Sequence, residues 1–321
     1  MTLTAGMGEV ATGPSGLFRA IGPSALSVFP IAISGNVFGW TADVSSTEAI
    51  LNHFTLLGGN LVDTADSYAA GRSEIMIGNW MREKRNRADV VLATKIGKSA
   101  DNPGLTARAI SAAVDASLHR LHTGYIDVLY LHIDDESVPF DETLLAVDEL
   151  ISAGKVRYFG GSDHTANRLI EARIAAAQLG VAHMVALQNH YNLMNRSEYE
   201  GGLAHVAAMQ NLGFMPRFAL ASGFLTGKYR SRSDLARSER GGEVAKYLTK
   251  KGARVITALD EVATAHGVSV ATIALAWLLS KPNVVAPVVS ASRTEQVGDL
   301  VAAVGIQLTR HQLSDLDRAS A

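Results

Sequence analysis

Cysteine is absent from this sequence of 321 residues, and aromatic residues make up only 6% of it. Without thiols the chain can form no disulfide, no thiolate nucleophile and no thiolate metal site, a composition that fits the reducing cytoplasm. Neither sign of charge predominates, because 29 basic and 31 acidic residues leave a formal net charge of −2. We therefore expect no nucleic-acid partner and no binding to a membrane surface.

Long hydrophobic runs are also missing. The apolar stretch 25–34 is too short to cross a bilayer and is interrupted by Pro30, and the stretch 268–279 soon meets Lys281 and Pro282. The first residues lack the basic region of a secretory signal. We therefore expect a cytoplasmic protein in which residues 268–279 form a buried helix.

The sequence does contain an alternation of short apolar runs with amphipathic stretches, which is typical of repeated βα units. The candidate strands are residues 27–33, 60–64, 90–94, 126–131, 156–160, 184–188, 213–218 and 284–288. Helical periodicity marks residues 47–57, 73–85, 106–121, 140–153, 165–179, 199–211, 253–266 and 270–279. Eight strands at fairly even spacing predict an α/β fold, a (β/α)8 TIM barrel, rather than an open doubly wound sheet.

We predict one barrel domain over residues 1–321, with a short N-terminal extension at 1–17, because no linker rich in Pro, Gly or Ser divides the chain. The longest interval without a strand follows the seventh strand, where residues 229–252 are rich in Arg, Lys, Ser and Gly. A solvated surface loop is the simple interpretation. The alternative is a loop that covers a bound ligand, since the active sites of barrels lie at this C-terminal face.

Four polar residues lie where a barrel places its reactive side chains. Asp63, Lys95 and His132 end the second, third and fourth strands, and Tyr68 lies in the loop after the second. Each has a structural explanation when taken alone, such as a helix cap for the aspartate or a solvated end for the lysine. Three consecutive strands that each carry an ionisable group to the same rim favour a catalytic set instead.

The chemistry of this set is coherent. A phenol has a reference pKa of about 10, too high for efficient proton transfer at neutral pH. Lys95 is expected to lower the pKa of Tyr68 by stabilising the phenolate, and Asp63 to balance the buried ammonium. His132 can hydrogen-bond a carbonyl oxygen and orient it toward the phenol. The set predicts a proton donor for an oxygen that gains negative charge as hydride reaches its carbon.

Six segments in order resemble motifs of the aldo-keto reductase family. They are residues 63–74 (DTADSYAAGRSE), 94–97 (TKIG), 130–135 (YLHIDD), 188–192 (QNHYN), 220–229 (LASGFLTGKY) and 290–296 (SASRTEQ). The resemblance covers residues 18–303. It implies an NADP(H)-dependent oxidoreductase that interconverts an aldehyde or ketone and its alcohol, with Tyr68, Lys95, Asp63 and His132 as catalytic residues. We expect a small-molecule substrate and a monomer or weak homo-oligomer.

The family implies NADPH or NADP+ bound on a barrel without the Rossmann glycine motif. By resemblance, Ser162 and Gln188 hold the nicotinamide carboxamide, and Arg293 is the candidate for the 2′-phosphate, with a plain surface arginine as the alternative. The residues that the resemblance assigns to the cofactor are Gly35, Asn36, Asp63, Ser162, Asp163, Gln188, Arg217, Phe218, Leu220, Ser222, Gly223, Lys228, Ser290, Ser292, Arg293 and Gln296.

Two of these residues depart from the family pattern. Asp163 stands where the family usually has Asn, so it can accept a hydrogen bond from the carboxamide but cannot donate one. Arg217 replaces the aromatic residue that commonly stacks on the nicotinamide. We expect Arg217 to stack through its guanidinium plane or to reach the pyrophosphate. Because its positive charge disfavours the oxidised ring, it should alter cofactor affinity or the balance between the two cofactor forms.

On the substrate side, Phe38 and Trp40 are candidates for an apolar wall, with a role in the core as the alternative. No cluster of arginines demands a phosphorylated or carboxylated substrate, and apolar pockets suit bulky aldehydes or ketones. The loop pattern resembles that of bacterial reductases acting on large ring ketones, including keto forms of trichothecene toxins.

Two other function classes remain open at this point. One is a cofactor-binding regulatory or channel-associated subunit with little turnover, as some family members are. The other is a metal-dependent hydrolase barrel. That reading is disfavoured because the sequence has no H-x-H pair and no histidines at trusted ligand spacing, so we predict no metal site.

Overall fold

The computed structural model describes residues 17–237 and 241–321. Its strands are β1 (Arg19–Ala20), β2 (Ser27–Val28), β3 (Ala32–Ser34), β4 (Leu61–Asp63), β5 (Val91–Ile96), β6 (Ile126–Leu131), β7 (Val156–Ser162), β8 (Ala186–Gln188), β9 (Gly213–Phe214) and β10 (Val288–Val289). Its α-helices are α1 (Val44–Leu56), α2 (Arg72–Lys84), α3 (Ala107–Arg120), α4 (Phe140–Ser152), α5 (Ala166–Leu179), α6 (Gly202–Met209), α7 (Gly241–Val244), α8 (Lys250–His266), α9 (Val270–Leu279), α10 (Glu295–Ala302) and α11 (Arg310–Ala319).

Eight of the described strands form one parallel sheet in the order β10-β3-β4-β5-β6-β7-β8-β9. The segment before β10 closes this sheet into a ring. The Phe214 backbone N–H donates to the oxygen of Asn283 at 2.9 Å, and the Val285 N–H donates to the oxygen of Phe214 at 2.8 Å. Farther along, the Val288 N–H donates to the oxygen of Pro216 at 2.8 Å. The predicted (β/α)8 barrel is confirmed.

The predicted first strand, 27–33, is two strands in the structure. Pro30 has no N–H to give to a sheet and separates them. β2 pairs antiparallel with β1, whereas β3 pairs with β4 and β10 in the barrel. Ile21, Leu26 and Val28 of the hairpin belong to the same buried cluster as Ala32 of β3. The hairpin therefore closes the amino end of the barrel.

The two faces of each barrel strand have different neighbours, because successive side chains of a strand point to opposite sides. In β6, Val128 and Tyr130 belong to the interior cluster, and Leu129 and Leu131 to the large cluster that includes the helices. Gly160 of β7 leaves room for the interior ring, since a Cβ there would lie 2.9 Å from Cε1 of Tyr130. Strands that are apolar on both faces read as the near-continuous apolar runs seen in the sequence.

The segment 229–252, expected to be a loop, contains short helical turns at Arg232–Arg237, Gly241–Val244 and Ala245–Tyr247, and α8 begins inside it. Residues 238–240 of this segment and residues 1–16 of the expected N-terminal extension lie outside the described residues. The pattern analysis missed α10 and α11. Leu316 is the one buried residue that α11 contributes within the described chain, so the helix presents few apolar positions, but the capping box of Thr309 and Gln312 marks its start.

The predicted buried helix at 268–279 is confirmed as α9, in which residues 271–278 are all buried. Within the described ranges, no helix taken singly is both long and apolar enough to span a membrane. The helices α8 and α9 meet that criterion only when they are joined, and they are bent by 96° at the break between them.

Two helical glycines offer a matched test of the packing. A Cβ on Gly78 of α2 would lie 2.5 Å from the oxygen of Arg120 and 2.7 Å from Cα of Leu121. Because rigid backbone must move, Gly78→Ala is expected to lower the free energy of unfolding by about 2 kcal/mol. Gly298 of α10 has open space around that position, so Gly298→Ala should raise it by roughly 0.5–1 kcal/mol. Urea unfolding of both variants checks this, and equal effects would contradict the packing argument.

Candidate active site

The carboxyl end of the barrel carries a layer of inward-facing polar side chains. Side chains two residues apart on a strand point to the same face, so a residue that lies two positions after one of the barrel interior also points inward. Lys95 follows Ala93 in this way, and His132 follows Tyr130. The members of the layer are Asp63, Lys95, His132, Ser162 and Gln188, all at most 9% exposed. The structure thus brings together three of the four residues predicted to be catalytic.

Lys95 and Asp63 form the ion pair at the centre of this layer. Lys95 is 1% exposed, and its Nζ donates to Oδ2 of Asp63 and to the backbone oxygen of Thr64, both at 2.6 Å. Oδ1 of Asp63 accepts from Nε2 of Gln188 at 2.9 Å, from the opposite side of the ring. Burial by itself lowers the pKa of Lys95, but the charge of Asp63 and the hydrogen bond to it raise the pKa, so the ammonium is retained.

Tyr68 lies beside this ion pair, with Nζ of Lys95 5.1 Å from the centre of its ring. Loss of hydration raises the pKa of Tyr68, and this effect is larger than the lowering by Lys95. The expected lowering of the Tyr68 pKa is therefore wrong in its net direction, although Lys95 acts in the expected sense. The phenol keeps its proton at neutral pH, which is the state that a proton donor requires.

His132 completes the group, with its ring 6.0 Å from that of Tyr68 in an edge-to-face arrangement. Burial, followed by the positive charges of Lys95, Lys98 and Arg217, lowers the pKa of His132 to about 2. The imidazole is therefore neutral at physiological pH and has one N–H to donate. Its Nδ1 is buried and has no hydrogen-bond partner in the described part of the chain.

A buried carboxylate that was not predicted from the sequence holds the helix that follows the Tyr68 loop. Glu74, in the first turn of α2, is fully buried and accepts from Oγ1 of Thr94 at 2.6 Å and from Nε of Arg120 at 2.7 Å. These contacts fix α2 against β5 and α3. The two residues after Tyr68 have positive φ angles of 50° and 55°, which L-residues rarely adopt, so the loop needs such support.

The two residues that depart from the family pattern contact each other. Nε and Nη2 of Arg217 donate to Oδ1 of Asp163 at 2.8 and 2.5 Å, and Nζ of Lys98 lies 3.7 Å from Oδ2 of the same carboxylate. The positive charge of Arg217 is therefore paired with Asp163, and its expected effect on cofactor affinity stays a prediction. Lys98 was missed, and the signal for it is a second lysine just beyond the end of β5.

A tight turn follows Arg217. Phe218, Ser222 and Gly223 have positive φ angles, and Leu220 lies between the first two. Turns of this kind direct successive backbone N–H groups toward one side and form concave sites for anions. Lys228 reaches the turn, since its Nζ would lie 3.7 Å from a Cβ on Gly223.

A second anion-type site lies after β10. Oε1 of Gln296 accepts from the backbone N–H of Ser292 at 2.9 Å and from that of Arg293 at 3.2 Å, which fixes the loop that begins at Ser290. The Arg293 side chain is exposed and forms no ion pair with any residue that the structure describes. Its guanidinium is thus available to a ligand.

The loop after β3 shows which of its two expected roles Phe38 has. Phe38 is 0% exposed and belongs to the main core, so it cannot form a wall of a substrate pocket. Trp40 is 52% exposed and remains a candidate. Gly35 is buried against Ser73, whose Oγ would lie 2.3 Å from a Cβ there. Oδ1 of Asn36 is buried and lacks a partner among residues 17–237 and 241–321.

Comparison with known proteins gives consistent matches along the chain. A model of the Aldo/keto reductase family matches residues 33–321. Norsolorinic acid reductase B of Aspergillus parasiticus is 31% identical over 94% of this chain and 84% of its own length. Aldo-keto reductase ausK of Aspergillus calidoustus is 30% identical over 94% and 81%. A probable voltage-gated potassium channel subunit beta of Arabidopsis thaliana is 33% identical over 90% and 91%.

The neutral state of His132 predicts a measurable dependence of stability on pH. An unfolded histidine takes up a proton as the pH falls through about 6.5, whereas folded His132 does so only near 2. Stability is therefore present above pH 6.5 and lost below it, by about 2 kcal/mol between pH 7 and 5. In His132→Gln that part of the loss should disappear from urea unfolding. Replacing the exposed His205 by Gln is the control, and an unchanged pH dependence in His132→Gln would refute the assignment.

Proposed function

The chain belongs to the aldo/keto reductase family, and from this premise we propose that it is an NADP(H)-dependent reductase of bulky aldehydes or ketones, with Tyr68 as proton donor. The family implies an oxidoreductase that acts on carbonyl compounds with a nicotinamide cofactor. The observation that carries the finer proposal is the buried ion pair of Lys95 and Asp63 beside the protonated phenol of Tyr68 and the neutral ring of His132.

The residues at the barrel mouth fit such a cofactor. Ser162 and Asp163 offer oxygen atoms to a carboxamide, and Oδ1 of Asn36 is a buried acceptor without a partner in the described ranges. The turn around Gly223, with Lys228 against it, suits a diphosphate. Arg293 suits a 2′-phosphate. When bound, the reduced nicotinamide supplies a hydride to the carbonyl carbon.

The residues of the chain supply the other half of the reaction. The neutral His132 donates its N–H to the carbonyl oxygen and orients it toward Tyr68. As negative charge develops on that oxygen, Tyr68 transfers its proton to it and the alcohol forms. The Lys95 ammonium, held by Asp63, stabilises the phenolate that remains until solvent reprotonates it. In the direction of alcohol oxidation the same groups act in reverse.

The segment 229–252 is proposed to lie over the cofactor as part of the same single barrel domain. A cavity of about 420 Å³ separates it from α8, lined on the segment side by Tyr229, Arg230 and Arg232 among others. Arg230 is already paired with Asp260, so a phosphate in this cavity would meet Arg232.

The substrate is proposed to be a bulky carbonyl compound. Trp40 offers an exposed aromatic surface at the loop after β3, and the loop resemblance suggests large ring ketones such as keto-trichothecenes. Norsolorinic acid reductase B, by its name, reduces norsolorinic acid.

The alternative is a cofactor-binding regulatory subunit with little turnover, favoured by the similarity to a probable potassium channel subunit. Turnover measured with a panel of aldehydes and ketones decides between the two. A chain that binds NADPH tightly but reduces none of them would support the regulatory function.

Removal of one hydroxyl tests the proton donor. Tyr68→Phe should lower kcat for NADPH-dependent aldehyde reduction by about a hundred-fold or more, because no acid remains to protonate the alkoxide. NADPH binding, followed by fluorescence, should stay within two-fold. Tyr130→Phe is the matched control, since this interior hydroxyl has no partner among the described residues. If Tyr68→Phe retained full turnover, the assignment would be wrong.

The cofactor preference depends on Arg293. Arg293→Met should weaken NADPH binding about ten-fold or more, through loss of a charge-assisted contact to the 2′-phosphate, and leave NADH binding unchanged. Calorimetric titration with each cofactor measures this. Arg310→Met, at an exposed arginine that begins α11, serves as the control. A parallel loss for NADH would show that Arg293 acts on the loop rather than on the phosphate.

A further inference from the structure

The charges at the barrel mouth do not cancel. Lys95 is balanced by Asp63 at 2.6 Å, and Arg217 is balanced by Asp163 through two hydrogen bonds. Lys98 is a third cation, and its Nζ lies 3.7 Å from the remaining oxygen of Asp163. Three cations thus share two carboxylates. The surplus positive charge lies at Lys98, because the carboxylate that faces it, Asp163, is already bound to Arg217.

Lys98 is also the cation that a solute can reach. Its side chain is 40% exposed, against 28% for the paired Arg217 and 1% for Lys95. It lies two residues beyond the end of β5, the strand that carries Lys95. Its charge acts on His132, where it contributes to the low pKa of the imidazole. The ammonium is therefore within electrostatic range of the group proposed to hold the carbonyl oxygen.

The ion-pair partner of Lys98, Asp163, is shared with Arg217. Burial lowers the pKa of Lys98, and the attraction of Asp163 does not make up for this because Arg217 repels the ammonium. An anion that entered the mouth would supply the missing attraction. An ammonium has three donors on a flexible stem, so it can adapt to a carboxylate or a phenolate without a fixed fork geometry.

We propose that Lys98 determines substrate specificity, and that the preferred substrate is a carbonyl compound bearing an acidic group, a carboxylate or an ionised phenol. This inference rests on the proposed carbonyl reduction at the same mouth. The carbonyl oxygen faces Tyr68 and His132, and the acidic group pairs with Lys98. It places acidic carbonyl compounds ahead of the neutral ring ketones that the loop resemblance suggests.

Two aldehydes that differ in charge test the proposal. 4-Carboxybenzaldehyde carries a carboxylate, and methyl 4-formylbenzoate is its neutral ester with a similar ring. We expect Lys98→Gln to lower kcat/KM for the acid about five-fold, mainly through KM, and to leave the ester within two-fold. Lys98→Arg should retain the preference for the acid. High salt should weaken the preference of the wild type, since exposed charges are screened.

Lys155→Gln is the matched control. Lys155 is 38% exposed and pairs with Asp115, but it lies just before β7, at the opposite end of the barrel. Lys155→Gln should leave kcat/KM unchanged for both aldehydes. The proposal is overturned if the wild type does not prefer the acid, or if Lys98→Gln lowers kcat/KM equally for both aldehydes, because that result indicates a structural effect.

A binding measurement separates this inference from the proposed function. If neither aldehyde is reduced, the carbonyl reduction proposed above fails, and 4-(hydroxymethyl)benzoate and its methyl ester are titrated calorimetrically into the full chain with NADP+. Tighter binding of the acid that disappears in Lys98→Gln would still assign an anion site to Lys98. Equal binding of acid and ester would overturn it.

Discussion

An ammonium with 1% exposure can stay charged inside a protein only if a carboxylate is held against it, and this requirement organises the mouth of the barrel. Asp63 meets it for Lys95, and Gln188 holds the second oxygen of Asp63 from the opposite side of the ring. One charge pair thus connects three strands. Tyr68 lies beside the pair and keeps its proton, because burial raises its pKa more than Lys95 lowers it. If Tyr68 gave up that proton, the Lys95 ammonium would stabilise the phenolate.

The same concentration of positive charge explains the state of His132. Buried beside three cations, the imidazole stays neutral at physiological pH, as the proposed role of a neutral donor requires. In the proposed reaction, the surroundings of Tyr68 and His132 therefore decide which of the two gives up a proton and which only donates a hydrogen bond. A phenol with a raised pKa and an imidazole with a lowered one both remain in a single protonation state across physiological pH.

Much of this could be predicted from the sequence, for a physical reason. Strands alternate in and out with a period of two, so a barrel fold suffices to bring Asp63, Lys95 and His132 to one layer, and the family resemblance is confirmed. The contact between Asp163 and Arg217 could not be predicted in this way. They are 54 residues apart, and their meeting depends on a left-handed backbone at Asp163. The direction of the pKa shift of Tyr68 could not be predicted either, because the spacing of residues in a sequence does not show how deeply a side chain is buried.

The hairpin of β1 and β2 has a consequence for how such a barrel can diversify. It fills the amino end with apolar side chains, whereas the buried ion pair of Lys95 and Asp63, with Tyr68 and His132 beside it, lies at the carboxyl end. Substitutions in the rim loops can therefore redirect chemistry without disturbing the seal at the base. Because the amino end is filled, ligands can reach the barrel only from its carboxyl end. Changes in substrate are therefore expected to come from the loops around that end.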